Sequence, residues 1–208
     1  MDLFDDTPEH LINHLPCDGE VNYHSDFLPN EEASLWFERL SADVSWQQEQ
    51  VILFGKTRVL ERKIALYSDK LANGSTLSYG YSQVTKQALP WSPLMDALKA
   101  QVEACAGQRF NACLLNYYAH GEQSMGWHQD NEPDLVQDGL IASVSLGAQR
   151  RFSFKHKVLK NRIDLHLEHG SLLLMRGATQ QHWLHQLPKA KQVTQPRINL
   201  TFRQLRLR

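Results

Sequence analysis

From Asn111 onward the chain is a succession of short runs: NACLLNYY, LIASVSLG, RFSFKH, RIDLHL, GSLLLMR and RINLTFRQL. Each is rich in β-branched, leucine or aromatic residues and is cut off by Gly, Pro or Asn, which is the pattern of strands rather than helices. Strands this short cannot be stable alone, so they must pack face to face or under helices. Helical signals lie upstream. Asn30 is placed to cap a helix from Glu31 toward Leu40, with Leu35, Trp36 and Leu40 spaced for one face. Ser92 as N-cap, Pro93 at the first position, then Leu94, Leu98 and Val102, and finally Gly107 as C-cap mark a second. Helices first and strands after predict a mainly β, α+β fold, a sandwich or jelly roll with helices outside.

The 208 residues, 42 % hydrophobic and 22 % charged, suffice for one domain with a sizeable core. Residues 1–22 are polar and weakly patterned and are expected to be a tail, with residues 23–208 as a single domain. A formal net charge of −1 gives no global pull toward nucleic acid or a membrane, so an anionic partner must be met by local patches. Cys17, Cys105 and Cys113 have no C-x-x-C spacing, which argues against a zinc ribbon or a disulfide framework. The N-terminus has no basic segment leading into an apolar run, and no stretch reaches membrane-spanning length, so a soluble cytosolic protein is expected.

RINLTFR carries the most chemistry. Alternation sets Ile198, Leu200 and Phe202 on one face and Arg197, Asn199, Thr201 and Arg203 on the other. Two arginines in line suit a small dicarboxylate, because the guanidinium fork matches a carboxylate bidentately. An edge strand with a solvated basic face is the alternative. A second feature is GWHQDNEPD, where His128 and Asp130, read as i and i+2 on a strand, project together and can chelate one ion. A third ligand from QHWLHQLP, either His182 or His185, would complete two histidines and a carboxylate on one face of an octahedron, the site of non-haem iron oxygenases.

Together these stretches resemble the AlkB family of Fe(II)- and 2-oxoglutarate-dependent dioxygenases. The likeness is carried by LLNYYAHGEQSMGWHQDNEPDL, IASVSLGAQRRFSFKHK, HGSLLLMRGATQQHWLHQLPK and PRINLTFRQ, in that order. Upstream, LFGKTRVLERKIALYSD, LSYGYSQ and PWSPLMDAL look most like the branch that repairs duplex DNA. The resemblance implies a double-stranded β-helix core over about 108–208 and a nucleotide-recognition lid over about 45–85. It makes His128, Asp130 and His185 the iron ligands, with His182 a structural neighbour. It gives 2-oxoglutarate to Arg197, Arg203, Asn116, Tyr118 and Asn199. It also implies base contacts from Glu132, Tyr79, Tyr81 and Arg62, and an aromatic wedge at Phe54. Asn131 departs from the double acid of the duplex-repair branch.

The implied activity is oxidative demethylation of N1-methyladenine and N3-methylcytosine in double- or single-stranded DNA, or in RNA, using Fe(II), O2 and 2-oxoglutarate. No membrane partner is implied, and a monomer is expected. Basic runs fit a nucleic-acid partner: Lys56, Arg58, Arg62 and Lys63 in one segment, and Arg150, Arg151, Lys155, Lys157, Lys160 and Arg162 in another. Of these, Lys56, Arg58, Lys155, Lys157, Lys160 and Arg162 are expected on the DNA backbone. Two rival readings share the motifs. One is an oxygenase of RNA, protein or a small metabolite, and the other a non-enzymatic jelly roll with a structural metal.

Overall fold

Every β-prone run after Gly107 folds as a strand, and two shorter strands, hidden by their length, join them. The structure is a computed structural model that describes residues 9–53, 56–81 and 84–206, with backbone alone described at 9, 49, 51–53, 56–58, 78–81 and 84–86. The chain forms β1 (Glu20–His24), α1 (Asn30–Asp43), β2 (Gln47–Leu53), β3 (Lys56–Ser68), β4 (Ser78–Tyr81), β5 (Val84–Gln87) and β6 (Leu89–Pro90). After α2 (Pro93–Ala106) come β7 (Ala112–Tyr118), β8 (Met125–His128), β9 (Ile141–Gly147), β10 (Arg150–His156), β11 (Arg162–Leu167) and β12 (Ser171–Arg176). The short α3 (Thr179–His182), β13 (Trp183–Leu187) and β14 (Arg197–Arg203) complete it.

A large sheet runs β1-β12-β9-β14-β7-β3-β2, with β6 beside β3, and a smaller sheet runs β11-β10-β13-β8. Strand alternation divides the large sheet's side chains between two surroundings. On one face Ile198, Leu200 and Phe202, all fully buried, pack with Trp36 and Leu40 of α1 and Met95, Leu98 and Val102 of α2. Burying each such side chain contributes roughly 1.5–3 kcal/mol, so this layer supplies much of the stability. On the other face Val21, Tyr23, Ile141, Leu173 and Met175 meet Phe154, Leu167 and Trp183 of the small sheet. The two sheets therefore face one another in a jelly-roll core, and the polar alternates of β7 and β14 are left in the gap between them.

α2 begins and ends as its sequence dictates. Ser92 Oγ accepts from the Met95 N–H at 3.3 Å, and Gly107 takes the left-handed conformation at φ 67°, a geometry that favours a residue without a Cβ. α1 differs from expectation: Pro29 occupies the cap position with no side-chain bond, and its carbonyl accepts from Ala33 N at 2.8 Å. Leu35 is more than half exposed, so the buried stripe is Ala33, Trp36 and Leu40.

Over its described residues, 9–22, the expected tail is a second correction. Glu20–His24 pairs in register with β12, and Asn13 Oδ1 accepts from the N–H groups of Leu15 and Val21. An open edge at β12 needs a partner for its backbone groups, and β1 supplies it. No helix among the described residues is long and apolar enough to cross a membrane.

Candidate metal centre and cosubstrate pocket

β8 and β13 are antiparallel, with His185 directly opposite His128. Side chains at opposed positions share a face, so the two imidazoles meet with ring centroids 4.2 Å apart. Phe152 and Phe154 of β10 pack against His185 and bury it. His128 Nδ1 lies 2.8 Å from Gly126 O, which fixes the proton on Nδ1 and leaves the Nε2 lone pair for a ligand.

Asp130 completes the set, though not as the i+2 strand residue the spacing predicts. β8 ends at His128, and Asp130 stands in the loop beyond, its N–H donating to Gln180 Oε1 of α3 at 3.0 Å. Oδ2 accepts from Arg203 Nη2 at 3.0 Å, whereas Oδ1 is buried without a hydrogen-bond partner. Oδ1 lies 4.0 Å from His128 Nε2, and Oδ2 lies 4.0 Å from His185 Nε2.

Protonation states suit a divalent ion. Burial alone would raise the Asp130 carboxyl, but Arg203 and the two histidines outweigh it and hold the pKa below the ordinary value. Burial, with His128 and Arg203 beside it, takes His185 down to about 3, so it is neutral at ordinary pH. One carboxylate and two imidazoles, with an orphaned oxygen facing His128, form a hard-to-borderline donor set of the kind that holds Fe(II).

A second cluster, Cys17, Asp18 and His156, brings ligand atoms equally close but does not fit a metal. His156 Nδ1 accepts from the N–H groups of Val158 and Leu159 at 3.2 and 2.9 Å, so the ring proton sits on Nε2 and is donated to Asp18 Oδ2 at 3.2 Å. The nitrogen facing the cluster therefore has no lone pair to give.

Across the gap, β14 presents Arg197, Asn199, Thr201 and Arg203, and β7 presents Asn116 and Tyr118, with Arg197 opposite Tyr118 and Asn199 opposite Asn116. Arg197 is 2 % exposed and donates to Ser145 Oγ at 2.9 Å, while its Nε has no partner. Burial lowers its pKa to about 10, with Arg150 adding to the effect and Tyr118 opposing it. Asn116 Oδ1 is likewise buried without a partner. A buried guanidinium with spare donors, and no carboxylate among the described residues to meet it, fits an incoming anion. Asn199 already donates to Ser143 Oγ and Val144 O, so it braces the pocket wall as well as lining it.

Arg203, expected on the cosubstrate, lines that pocket and also binds the Asp130 carboxylate. Other expected residues have other surroundings. Glu132 is absent from the pocket lining and borders a neighbouring cavity of about 210 Å³ that shares Asp130 and Arg203. Arg62 is buried and donates to Ser124 O at 3.1 Å. Lys157, expected on phosphates, donates to the Gln180 and Gln181 carbonyls at 3.3 and 2.5 Å. Arg162 pairs with Asp164 and lies over the Trp127 ring, whereas Lys155 and Lys160 are exposed. His182 stacks on His156, away from the metal ligands. Phe54 and the side chains of Lys56, Arg58, Tyr79 and Tyr81 lie outside the described residues.

Three contributors escape the sequence reading. Ser143 and Ser145 alternate in LIASVSLG and were open to the same period-two reading as the arginines. Gln180 had no such signal, because its role depends on where α3 lands.

The family model of the 2OG-Fe(II) oxygenase superfamily matches residues 20–203. Human DNA oxidative demethylase ALKBH2 is 36 % identical over 93 % of this chain and 77 % of its own length. The chain belongs to the AlkB family of these oxygenases. Bovine alpha-ketoglutarate-dependent dioxygenase alkB homolog 3 is 38 % identical over 85 % of this chain, which spans 63 % of that relative. The solved structure of OsALKBH1 shares the fold, with a TM-score of 0.57 at 15 % identity, covering 88 % of this chain and 97 % of that one. Membership of this family implies Fe(II) as the metal and 2-oxoglutarate and O2 as cosubstrates.

Proposed function

We propose that this protein removes methyl groups oxidatively from alkylated bases in DNA. The observation that carries the reading is the pairing of His128, Asp130 and His185 with the buried, anion-poor Arg197 across one gap, in a chain 36 % identical to a DNA oxidative demethylase. In the balanced reaction an N-methyl base, O2 and 2-oxoglutarate give the free base, formaldehyde, succinate and CO2. Iron, when bound, supplies the oxidising chemistry.

The chain's own residues place the reactants. His128, Asp130 and His185 hold the metal, and Arg203 keeps the Asp130 carboxylate turned toward it. Arg197 receives the remote carboxylate of 2-oxoglutarate, with Asn116 and Tyr118 as further contacts. Phe152, Met175 and Leu187 line the same pocket and keep water out. The target base must leave the duplex to reach this gap, at a cost of a few kcal/mol that is least for a lesion already unpaired. Duplex substrates and a Phe54 wedge rest on the likeness of LFGKTR to the duplex-repair branch. Phe54→Ala should then lower activity on duplex much more than on the single strand.

The direct test is mass spectrometry of an oligonucleotide bearing N1-methyladenine or N3-methylcytosine, incubated with iron, 2-oxoglutarate and ascorbate. Loss of one methyl mass, matched by succinate and absent in Asp130→Ala, is expected. Succinate at the same rate with and without methylated DNA would move the substrate to another class of molecule.

A further inference from the structure

Arg150 belongs to the basic run that fits a nucleic-acid partner by its sequence, yet it is 2 % exposed. Its Nη2 donates to three carbonyls, Gly121 O at 3.2 Å, Gln123 O at 2.9 Å and Pro188 O at 2.8 Å, while Nε is buried without a partner. Those carbonyls belong to two loops, one leaving Tyr118 of β7 and the other leaving Leu187 of β13. Both starting residues line the cosubstrate pocket beside Arg197.

The loops are also bonded to each other, Gly121 N to Val193 O at 2.7 Å and Ala190 N to Gly121 O at 2.8 Å. They run so close that a Cβ on Gly121 would stand 2.0 Å from Ala190 O. The turn before β10 is held the same way, Ala148 N donating to Pro196 O at 2.8 Å, which brings Arg150 next to Arg197. The nearness is electrostatic as well: Arg150 depresses the pKa of Arg197.

Two buried guanidinium groups that feel one another's charge, with no carboxylate for either among the described residues, raise the free energy of the unliganded site. Three carbonyls occupy Arg150 Nη2 but do not cancel the charge. A neutral amide could tie the same loops at lower cost, so the charge has a use only when an anion arrives.

We propose that Arg150 is a positioning residue for the remote carboxylate of 2-oxoglutarate, tying the two loops at that end of the pocket and setting a second buried positive charge behind Arg197. The inference rests on the reading that Arg197 receives that carboxylate. It gives Arg150 a share in selecting a dicarboxylate over a monocarboxylic 2-oxo acid, without touching the ligand.

The test compares 2-oxoglutarate with 2-oxopentanoate, which carries a methyl group in place of the remote carboxylate. Binding is measured anaerobically on the full-length iron-loaded protein through the absorption of the iron–oxo acid chelate. Arg150→Gln keeps a donor for the carbonyls and removes the charge, whereas Arg150→Lys keeps the charge and loses the fork. Arg150→Gln should weaken 2-oxoglutarate about tenfold and leave 2-oxopentanoate unchanged, and Arg150→Lys should hold 2-oxoglutarate within about twofold of the parent protein. Equal weakening of both acids, or equal loss in both variants, would reduce Arg150 to a scaffold residue and overturn the proposal. A parent protein that binds the two acids equally would overturn the reading of Arg197 instead, so the two failures are told apart.

Discussion

Arg203 Nη2 stands 3.0 Å from Asp130 Oδ2, a contact between residues 73 apart in sequence that joins the end of β14 to the loop after β8. The bond anchors Oδ2 and leaves Oδ1 toward His128 Nε2 at 4.0 Å, so Arg203 sets the orientation of the candidate metal-binding carboxylate. Arg203→Met should weaken iron binding by about ten- to a hundredfold, as loss of a partner behind a metal ligand does. Titration of the metal-free variant with Fe(II) under anaerobic conditions measures it, and parental affinity would mean that Asp130 is held by other contacts.

Stability of the metal-free protein should fall as the pH drops from about 6.5. His185 has its folded pKa depressed from 6.5 to about 3, so over that interval the unfolded chain takes a proton that the folded chain refuses. One such group costs about 1.4 kcal/mol for each pH unit descended. His24 and His169, also lowered by burial, act in the same direction, and Asp130 joins below its ordinary carboxyl value. Urea denaturation should show the slope reduced by about one proton in His185→Gln. An unchanged slope would place the proton uptake on other residues.

Gln180 holds the Asp130 backbone rather than its carboxylate. Gln180→Leu keeps the volume and removes the acceptor, leaving a buried N–H without a partner at a cost of about 1–3 kcal/mol. Iron affinity and the thermal midpoint should fall together, while 2-oxoglutarate discrimination stays parental. A change confined to 2-oxoglutarate binding would contradict the assignment.

Arg197→Met should lower 2-oxoglutarate affinity by about 2–5 kcal/mol, the usual consequence of breaking a buried charge pair. Measured as the apparent constant for 2-oxoglutarate in succinate formation, this loss should leave the constant for the oligonucleotide unchanged. If the oligonucleotide constant moved instead, the arginine face of β14 would serve the nucleic acid.

The basic hairpin of β10 and β11 should divide under salt titration. Lys157 is already spent on the carbonyls of α3, whereas Lys155 and Lys160 are exposed. Replacing Lys155 or Lys160 by Ala should reduce the slope of log affinity for DNA against log salt by about one each, and replacing Lys157 should leave it unchanged. The reverse order would show that the α3 contact yields to phosphate.

Legibility followed the range of the interactions. The alternation of RINLTFR put Arg197 and Arg203 on one polar face, because a strand's period of two is a local property, whereas the burial of that face comes from the packing of the two sheets. The caps of α2 were equally plain, since Ser92, Pro93 and Gly107 act within a turn of their own positions. His185 could be preferred over His182 only through the family likeness; what separates them in space is the register of β13 against β8, which no local pattern encodes. The basic residues of the 150–162 segment looked alike as a string. Only the packing shows that Arg150 is interior, Lys157 tethered and Lys155 free to meet solvent, and that sorting depends on segments 23 to 38 residues away.

His128 and His185 sit on the small sheet, whereas Arg197, Asn116 and Tyr118 sit on the large one. Metal and cosubstrate therefore draw their holders from opposite walls, and both are served by one distance between those walls. Where binding of one narrows the range of separations the pair of sheets explores in favour of the other, reciprocity requires each to raise the affinity for the other by the same factor. The protein is in this sense a two-key lock, and the order in which the keys are turned is immaterial to where the equilibrium ends.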